Sequence, residues 1–187
     1  MLSTIMTEID RIRETRLLQV GLNGNKLSLC SQAPPRNISG FYFLYTSYSL
    51  DEIQSCTPSP TTKAVEMNRL ASLHAHYAHT CEVKVMDGNE EFWLVYNGIG
   101  GSSSPEYGLR ERLLQEFRAV DETGSLAIRG SSLNDLSKWR YSFVTIKYDR
   151  QDSRSCDLPN NWYYLDYGKE IERVWRLKNG WPLLCRH

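Results

Sequence analysis

This 187-residue chain predicts an α+β domain with a small, mostly antiparallel central sheet flanked by helices. Three observations carry that expectation. The aromatic run from Phe41 to Ser47 reads as a buried strand. Glu82 to Met86 and Phe92 to Tyr96 flank Asp87-Gly88-Asn89, the strongest short-range hairpin signal in the chain. Leu109, Leu113 and Phe117 fall on one face of an amphipathic helix. Strands joined by a tight turn, with helical periodicity on either side, favour antiparallel pairing covered by helices.

The opening segment, Ser3 to Gln19, places Ile5, Ile9, Ile12, Leu17 and Leu18 at near-helical spacing, with Ser3 or Thr4 as the cap. Asn23-Gly24-Asn25 and Ala33-Pro34-Pro35-Arg36-Asn37 then supply turn chemistry, so residues 1–38 read as a helical N-terminal extension. After the strand at Phe41, Thr57-Pro58-Ser59-Pro60 breaks the chain. Helical periodicity resumes from Thr62 to His79 through Ala64, Met67, Leu70, Leu73 and Tyr77, making 50–81 a helical insertion. Beyond the helix at Leu109, two further strands are expected, Leu126 to Arg129 and Tyr141 to Tyr148. A polar loop from Asp149 to Asn161 follows, and then a last helix containing Ile171 to Trp175. There is no internal repeat, and one domain accounts for 1–187.

Hydrophobic residues make up 41% and charged ones 24%, an ordinary composition for a globular protein. No apolar run reaches the ~18 residues of a membrane span, and the first residues mix acids with bases around no apolar core, unlike a signal peptide. A cytoplasmic protein is therefore expected. Five cysteines, none in a C-x-x-C pair, fit free thiols. Lys plus Arg and Asp plus Glu both total 22, so net charge gives no argument for a nucleic-acid partner.

Certain residues carry chemistry through their order. Gly40-Phe41-Tyr42 opens one strand and Tyr96-Asn97-Gly98 closes another. A Gly/Ser turn from Gly100 to Ser104 follows, then a helix with Arg112 three residues after Leu109, and far downstream a helix with Glu172 leading to Gly180-Trp181-Pro182. In this order the chain resembles the GIY-YIG nucleases. The resemblance implies hydrolysis of DNA phosphodiester bonds with Mg2+ or Mn2+, with Tyr42, Tyr96, Arg112 and Glu172 catalytic. It makes Tyr42 the base that deprotonates water, Tyr96 its positioning partner, Arg112 the phosphate ligand and Glu172 the metal ligand. A phenol needs a nearby cation to act as a base at neutral pH, since its ordinary pKa is about 10. The chain departs from the family pattern twice: Glu116 stands where histidine is frequent, and Cys185 where asparagine is frequent.

Other assignments stay open at the level of sequence. Arg110 competes with Arg112 and is a candidate nucleic-acid contact, and Glu170 competes with Glu172. Ser102 and Ser103 could offer backbone N–H groups to a phosphate. Asn68 and His76, on the inserted helix, suit base edges. His74, His76, His79 and Cys81 invite a zinc reading, but on a helix only residues 76 and 79 share a face. A chain with insertions inside the catalytic unit and no appended recognition domain is most like a restriction endonuclease, acting on double-stranded DNA as a homodimer. The alternatives are a repair or phage nuclease and a catalytically silent nucleic-acid-binding or protein-interaction module.

Overall fold

A computed structural model describes residues 2–29, 32–77, 79–101, 107–120 and 124–186. The chain begins with helix α1 (Leu2–Thr15) and a hairpin of β1 (Val20–Asn23) and β2 (Lys26–Leu29). The central sheet follows in the order β4-β5-β3-β6, where β3 is Ser39–Thr46, β4 Lys84–Asp87, β5 Glu90–Gly100 and β6 Trp139–Ile146. Helices α2 (Leu50–Gln54) and α3 (Met67–His74) lie between β3 and β4, α4 (Leu109–Phe117) follows β5, and α5 (Tyr164–Asn179) follows β6. Among the described residues all strand pairings are antiparallel, and only the isolated bridges Thr80–Trp181 and Lys147–Tyr163 are parallel. Among the described residues no helix is long and apolar enough to cross a membrane.

Every residue of β3 is buried, because helices cover both faces of the sheet. Strand alternation splits its side chains between two cores. Tyr42 and Leu44 join Leu109, Leu113 and Phe117 of α4 and Met67 and Ala71 of α3. Phe41, Phe43 and Tyr45 join Ile5, Ile9 and Ile12 of α1 and Ile171 and Trp175 of α5. Residues 2–15 therefore complete one side of the main core; each buried isoleucine there contributes on the order of 1.5–3 kcal/mol.

Several boundaries differ from the sequence reading, each for a local reason. Helix α1 stops at Thr15, where the hydroxyl bonds back to the Arg11 carbonyl, and Leu18 pairs with Tyr141 instead of continuing the helix. The turn at Asn23-Gly24-Asn25 is flanked by the two short strands of a hairpin, with Gly24 at φ 59°. The inserted helix, Met67–His74, is shorter than Thr62 to His79: the Ala64 N–H closes a turn on the Thr61 carbonyl and the Val65 N–H donates to the Ser125 carbonyl, so the helix starts only at Met67. At the far end the Thr80 hydroxyl bonds the His74 carbonyl and closes the helix. Leu126 to Arg129 is not a strand, because Ala127 adopts a left-handed conformation (φ 48°) and a 3-10 turn follows at Ile128–Gly130. Strand β6 starts and ends two residues earlier than expected, since the Lys147 carbonyl accepts from Tyr164 at the start of α5.

Candidate active site

The two tyrosine motifs meet on neighbouring strands. In the β3–β5 register Tyr42 lies opposite Gly98 and Leu44 opposite Tyr96, so the two phenols sit diagonally on one face, ring centroids 6.0 Å apart. Gly98 explains its own identity: a Cβ there would come within 2.5 Å of the Tyr42 ring and hydroxyl. Gly100 is constrained in the same way, with the Leu109 Cα 2.5 Å from where its Cβ would stand, which lets α4 pack tightly on the end of β5. The glycines therefore bring the phenols together and seat the arginine helix beside them.

Behind the phenols lies Glu116. Its side chain is 1% exposed, and its two oxygens are separately satisfied: the Tyr42 hydroxyl donates to Oε1 at 2.7 Å and the Leu126 N–H to Oε2 at 2.9 Å. Burial pushes the Glu116 carboxyl above its ordinary range, although the bonds from Tyr42 and Leu126 oppose the shift. Tyr42 is wholly buried, and burial followed by the charge of Glu116 raises its pKa well above the usual phenol value. The Tyr42 hydroxyl donates to the Glu116 carboxyl, and the charge of the neighbouring Arg112 opposes the upward shift of the phenol. Tyr96 is shifted upward in the same way, by burial and then by Glu116.

Arg112 bridges this buried group and the open cavity. Its Nη2 is 4.0 Å from Glu116 Oε1 and its Nη1 donates to Gln115 Oε1 at 2.6 Å. Burial alone would lower its pKa, but the neighbouring Tyr42 and Glu116 raise it, so the guanidinium stays charged. Arg112 lines a cavity of about 230 Å³ together with Tyr42, Tyr96, Gly98 and Glu172. Arg110 faces a different cleft, with Arg36 and Arg118. Of the two arginines left open by the sequence, Arg112 is the one beside the tyrosines.

On α5 the same choice resolves between two glutamates. Glu170 is exposed and pairs at 4.0 Å with Arg173, whereas Glu172 lines the cavity. Its Oε1 accepts from Arg176 Nη2 at 2.8 Å. Burial raises the Glu172 carboxyl and the Arg176 charge opposes that shift. Arg176, which the sequence reading did not single out, also donates through Nε to Asn97 Oδ1 at 2.8 Å and through Nη2 to the Asn97 carbonyl at 3.2 Å. Its signal was the i,i+4 spacing from Glu172 on a helix. Cys185, at the departing position, turns its thiol onto Asn97 Oδ1 at 3.3 Å, and burial pushes that thiol up to about 12, so it stays protonated. Asn97 thus supplies a polar side chain in the wall that Cys185 also lines.

The remaining sequence candidates lie elsewhere. Asn68, early in α3, spends its side-chain oxygen on the Arg69 N–H at 2.8 Å, and His76 is exposed just beyond the helix. His74 is tied to the Leu183 carbonyl at 2.8 Å, and His79 is exposed. No group of three or more His, Cys, Asp or Glu side chains that could hold a metal occurs among the described residues. Ser102 and Ser103 lie outside the described residues. A wider cleft of about 530 Å³ includes Arg16 and Asp157, but these two satisfy each other through paired bonds of 2.8 Å. The chemistry therefore concentrates in the smaller cavity. No family model, curated protein or solved structure matches the chain.

Proposed function

We propose that this chain hydrolyses phosphodiester bonds in double-stranded DNA as a metal-dependent nuclease of GIY-YIG type, most like a restriction endonuclease acting as a homodimer. The supporting observation is that Tyr42, Tyr96, Arg112 and Glu172, drawn from β3, β5, α4 and α5, line one small cavity. In-line displacement at phosphorus needs charge neutralisation and a route for the proton of the attacking water. Arg112 offers a charged fork for the phosphate oxygens. Glu116 takes up the proton released at the tyrosine pair, through the Tyr42 hydroxyl that already rests on its Oε1.

Glu172 would hold the divalent cation. One carboxylate suits Mg2+, which keeps most of its waters and takes substrate phosphate as a further ligand. Arg176 occupies Oε1 and leaves the second carboxylate oxygen for such an ion. When bound, Mg2+ or Mn2+ supplies charge neutralisation and an acidified water.

A silent binding module is the second reading, favoured by the same Arg176–Glu172 pair, which neutralises the carboxylate proposed to hold the metal. Incubation with plasmid DNA and Mg2+, resolved on a gel, separates the readings. Discrete bands support restriction and a smear supports non-specific cleavage. Intact plasmid at every divalent cation concentration rejects the nuclease.

A further inference from the structure

Arg176 is built into the wall of the cavity, with its side chain only 10% exposed. Its guanidinium lies over the Trp181 ring, 4.9 Å from the centroid. Three bonds fix its plane: Nε to Asn97 Oδ1, Nη2 to the Asn97 carbonyl, and Nη2 to Glu172 Oε1. All three use Nε and Nη2, and among the described residues Nη1 donates to no protein acceptor. Nη1 is not among the buried unpaired atoms, so it is open to solvent and its donors are free for a ligand. Here the unspent donors belong to a residue that lines the cavity.

The charges around that cavity point the same way. Among the described residues Arg112, Arg176 and Arg186 line it, against the one lining carboxylate of Glu172. Glu116 lies behind Tyr42, wholly buried, and meets the cavity through the ion pair with Arg112 at 4.0 Å. Two of the three arginines are held in place by side-chain bonds, Arg112 by Gln115 and Arg176 by Asn97 and Glu172. A guanidinium fixed in advance loses little entropy on meeting a phosphate, and its planar fork matches two phosphate oxygens.

We propose that Arg176 is a second phosphate-binding arginine of this cavity, acting with Arg112 on the DNA backbone. This rests on the nuclease reading and deepens it by giving the cavity a two-arginine anion site that binds DNA phosphate without a metal.

The experiment is fluorescence anisotropy of a labelled double-stranded oligonucleotide in EDTA, titrated with the full chain across a range of salt concentrations. Each phosphate contact contributes about 0.9 to the slope of log affinity against log salt. Arg176→Gln is expected to lower that slope by about one and to weaken binding about tenfold at physiological salt. Arg176→Lys keeps the charge and is expected to retain the slope while binding several-fold more weakly, because the fork is lost. Arg173→Gln, on the exposed face of the same helix with a side chain 72% exposed, is expected to match the parent. Thermal unfolding of each variant establishes that it is folded.

A folded Arg176→Gln with parental affinity and slope overturns the proposal and leaves Arg176 as an anchor for Glu172 and Asn97. If Arg176→Gln does not fold, Arg176→Lys decides: weakened binding at an unchanged slope supports the site, and parental binding overturns it. A parent chain that binds no DNA overturns the nuclease reading and the inference together, an outcome distinct from DNA binding that ignores Arg176.

Discussion

Replacing Glu116 by glutamine separates the chemistry of the site from its stability. The side chain keeps its size but loses its charge and one acceptor. Its two present donors, the Tyr42 hydroxyl at 2.7 Å and the Leu126 N–H at 2.9 Å, meet different oxygens. In Glu116→Gln the amide oxygen can serve Leu126 and the amide NH2 can donate to the Tyr42 oxygen, while the Tyr42 hydroxyl proton loses its present acceptor. Cleavage is expected to fall by about 10²–10⁴, the usual worth of a positioned proton acceptor. Stability behaves differently. Burial raises the Glu116 carboxyl above its ordinary 4.5, so folding favours the protonated form. That contribution is fully present below pH 4.5 and is lost as pH rises through the folded value. The variant has no such group, so its melting temperature relative to the parent should climb as pH rises from 4 towards 8. Tyr42→Phe is the contrasting change: it removes a bond to a buried carboxylate, worth about 1.5–3 kcal/mol. At roughly 2–4 °C per kcal/mol for a chain of this size, its melting temperature should drop by about 3–12 °C at neutral pH. Plasmid cleavage and calorimetry across pH supply both readouts. Parental cleavage by Glu116→Gln, or a melting difference that ignores pH, refutes the assignment of Glu116 as proton acceptor.

Arg112→Ala should reduce cleavage on the order of a hundredfold or more, the cost of one transition-state contact, while Arg110→Ala, in the neighbouring cleft, changes the rate little; the reverse result would transfer the role to Arg110. Glu172→Gln should abolish the Mg2+-dependent cut and, in titration calorimetry, weaken Mn2+ binding, with Glu170→Gln indistinguishable from the parent. Mn2+ binding that survives in Glu172→Gln moves the metal to another residue. Asp157 should show the opposite pH behaviour to Glu116: burial raises its carboxyl, but the paired Arg16 bond and the Thr145 N–H and hydroxyl outweigh it, and the net shift is downward from 3.8. Its contribution is present above pH 3.8 and fades as pH falls below it, so Asp157→Asn should cost about 1–3 kcal/mol at pH 7, discounted for partial exposure, with the penalty shrinking in acid. An unchanged penalty at pH 3 would show that the charge of Asp157 is not the source.

What the sequence revealed of this site was the part governed by backbone geometry. Gly98 and Gly100 mark close approaches, one by the Tyr42 ring and one by α4, and such approaches restrict residue identity enough to be read in a bare sequence. The hairpin at Asp87-Gly88-Asn89 was legible for the same reason, with Gly88 at φ 62°. Tertiary contacts decided what was missed. Leu126 looked like the start of a strand, yet its N–H is spent on Glu116, ten residues earlier, and the left-handed Ala127 after it turns the chain away. Arg176 was hidden because its partner Asn97 is 79 residues distant.

Residues 116 and 185, where the sequence departs from the pattern it resembles, are both engaged in tertiary contacts. A histidine at 116 would be a neutral or cationic partner for a phenol. The carboxylate there instead accepts hydrogen bonds from the Tyr42 hydroxyl and the Leu126 N–H, which together offset part of the cost of its full burial. At 185, burial keeps the thiol protonated and therefore a weak nucleophile at neutral pH. Its neighbour Asn97 accepts from the thiol and from Arg176 at one oxygen, Oδ1. The polar chemistry of this wall therefore passes through Asn97, the middle residue of Tyr96-Asn97-Gly98, and removing its side chain should loosen Arg176 and Cys185 together. Asn97→Ala is thus expected to raise the reactivity of Cys185 towards alkylating reagents in the folded protein, a change measurable by mass spectrometry without any assumption about catalysis. A Cys185 that stays as unreactive as in the parent would show that burial alone protects it and that Asn97 does not organise this wall.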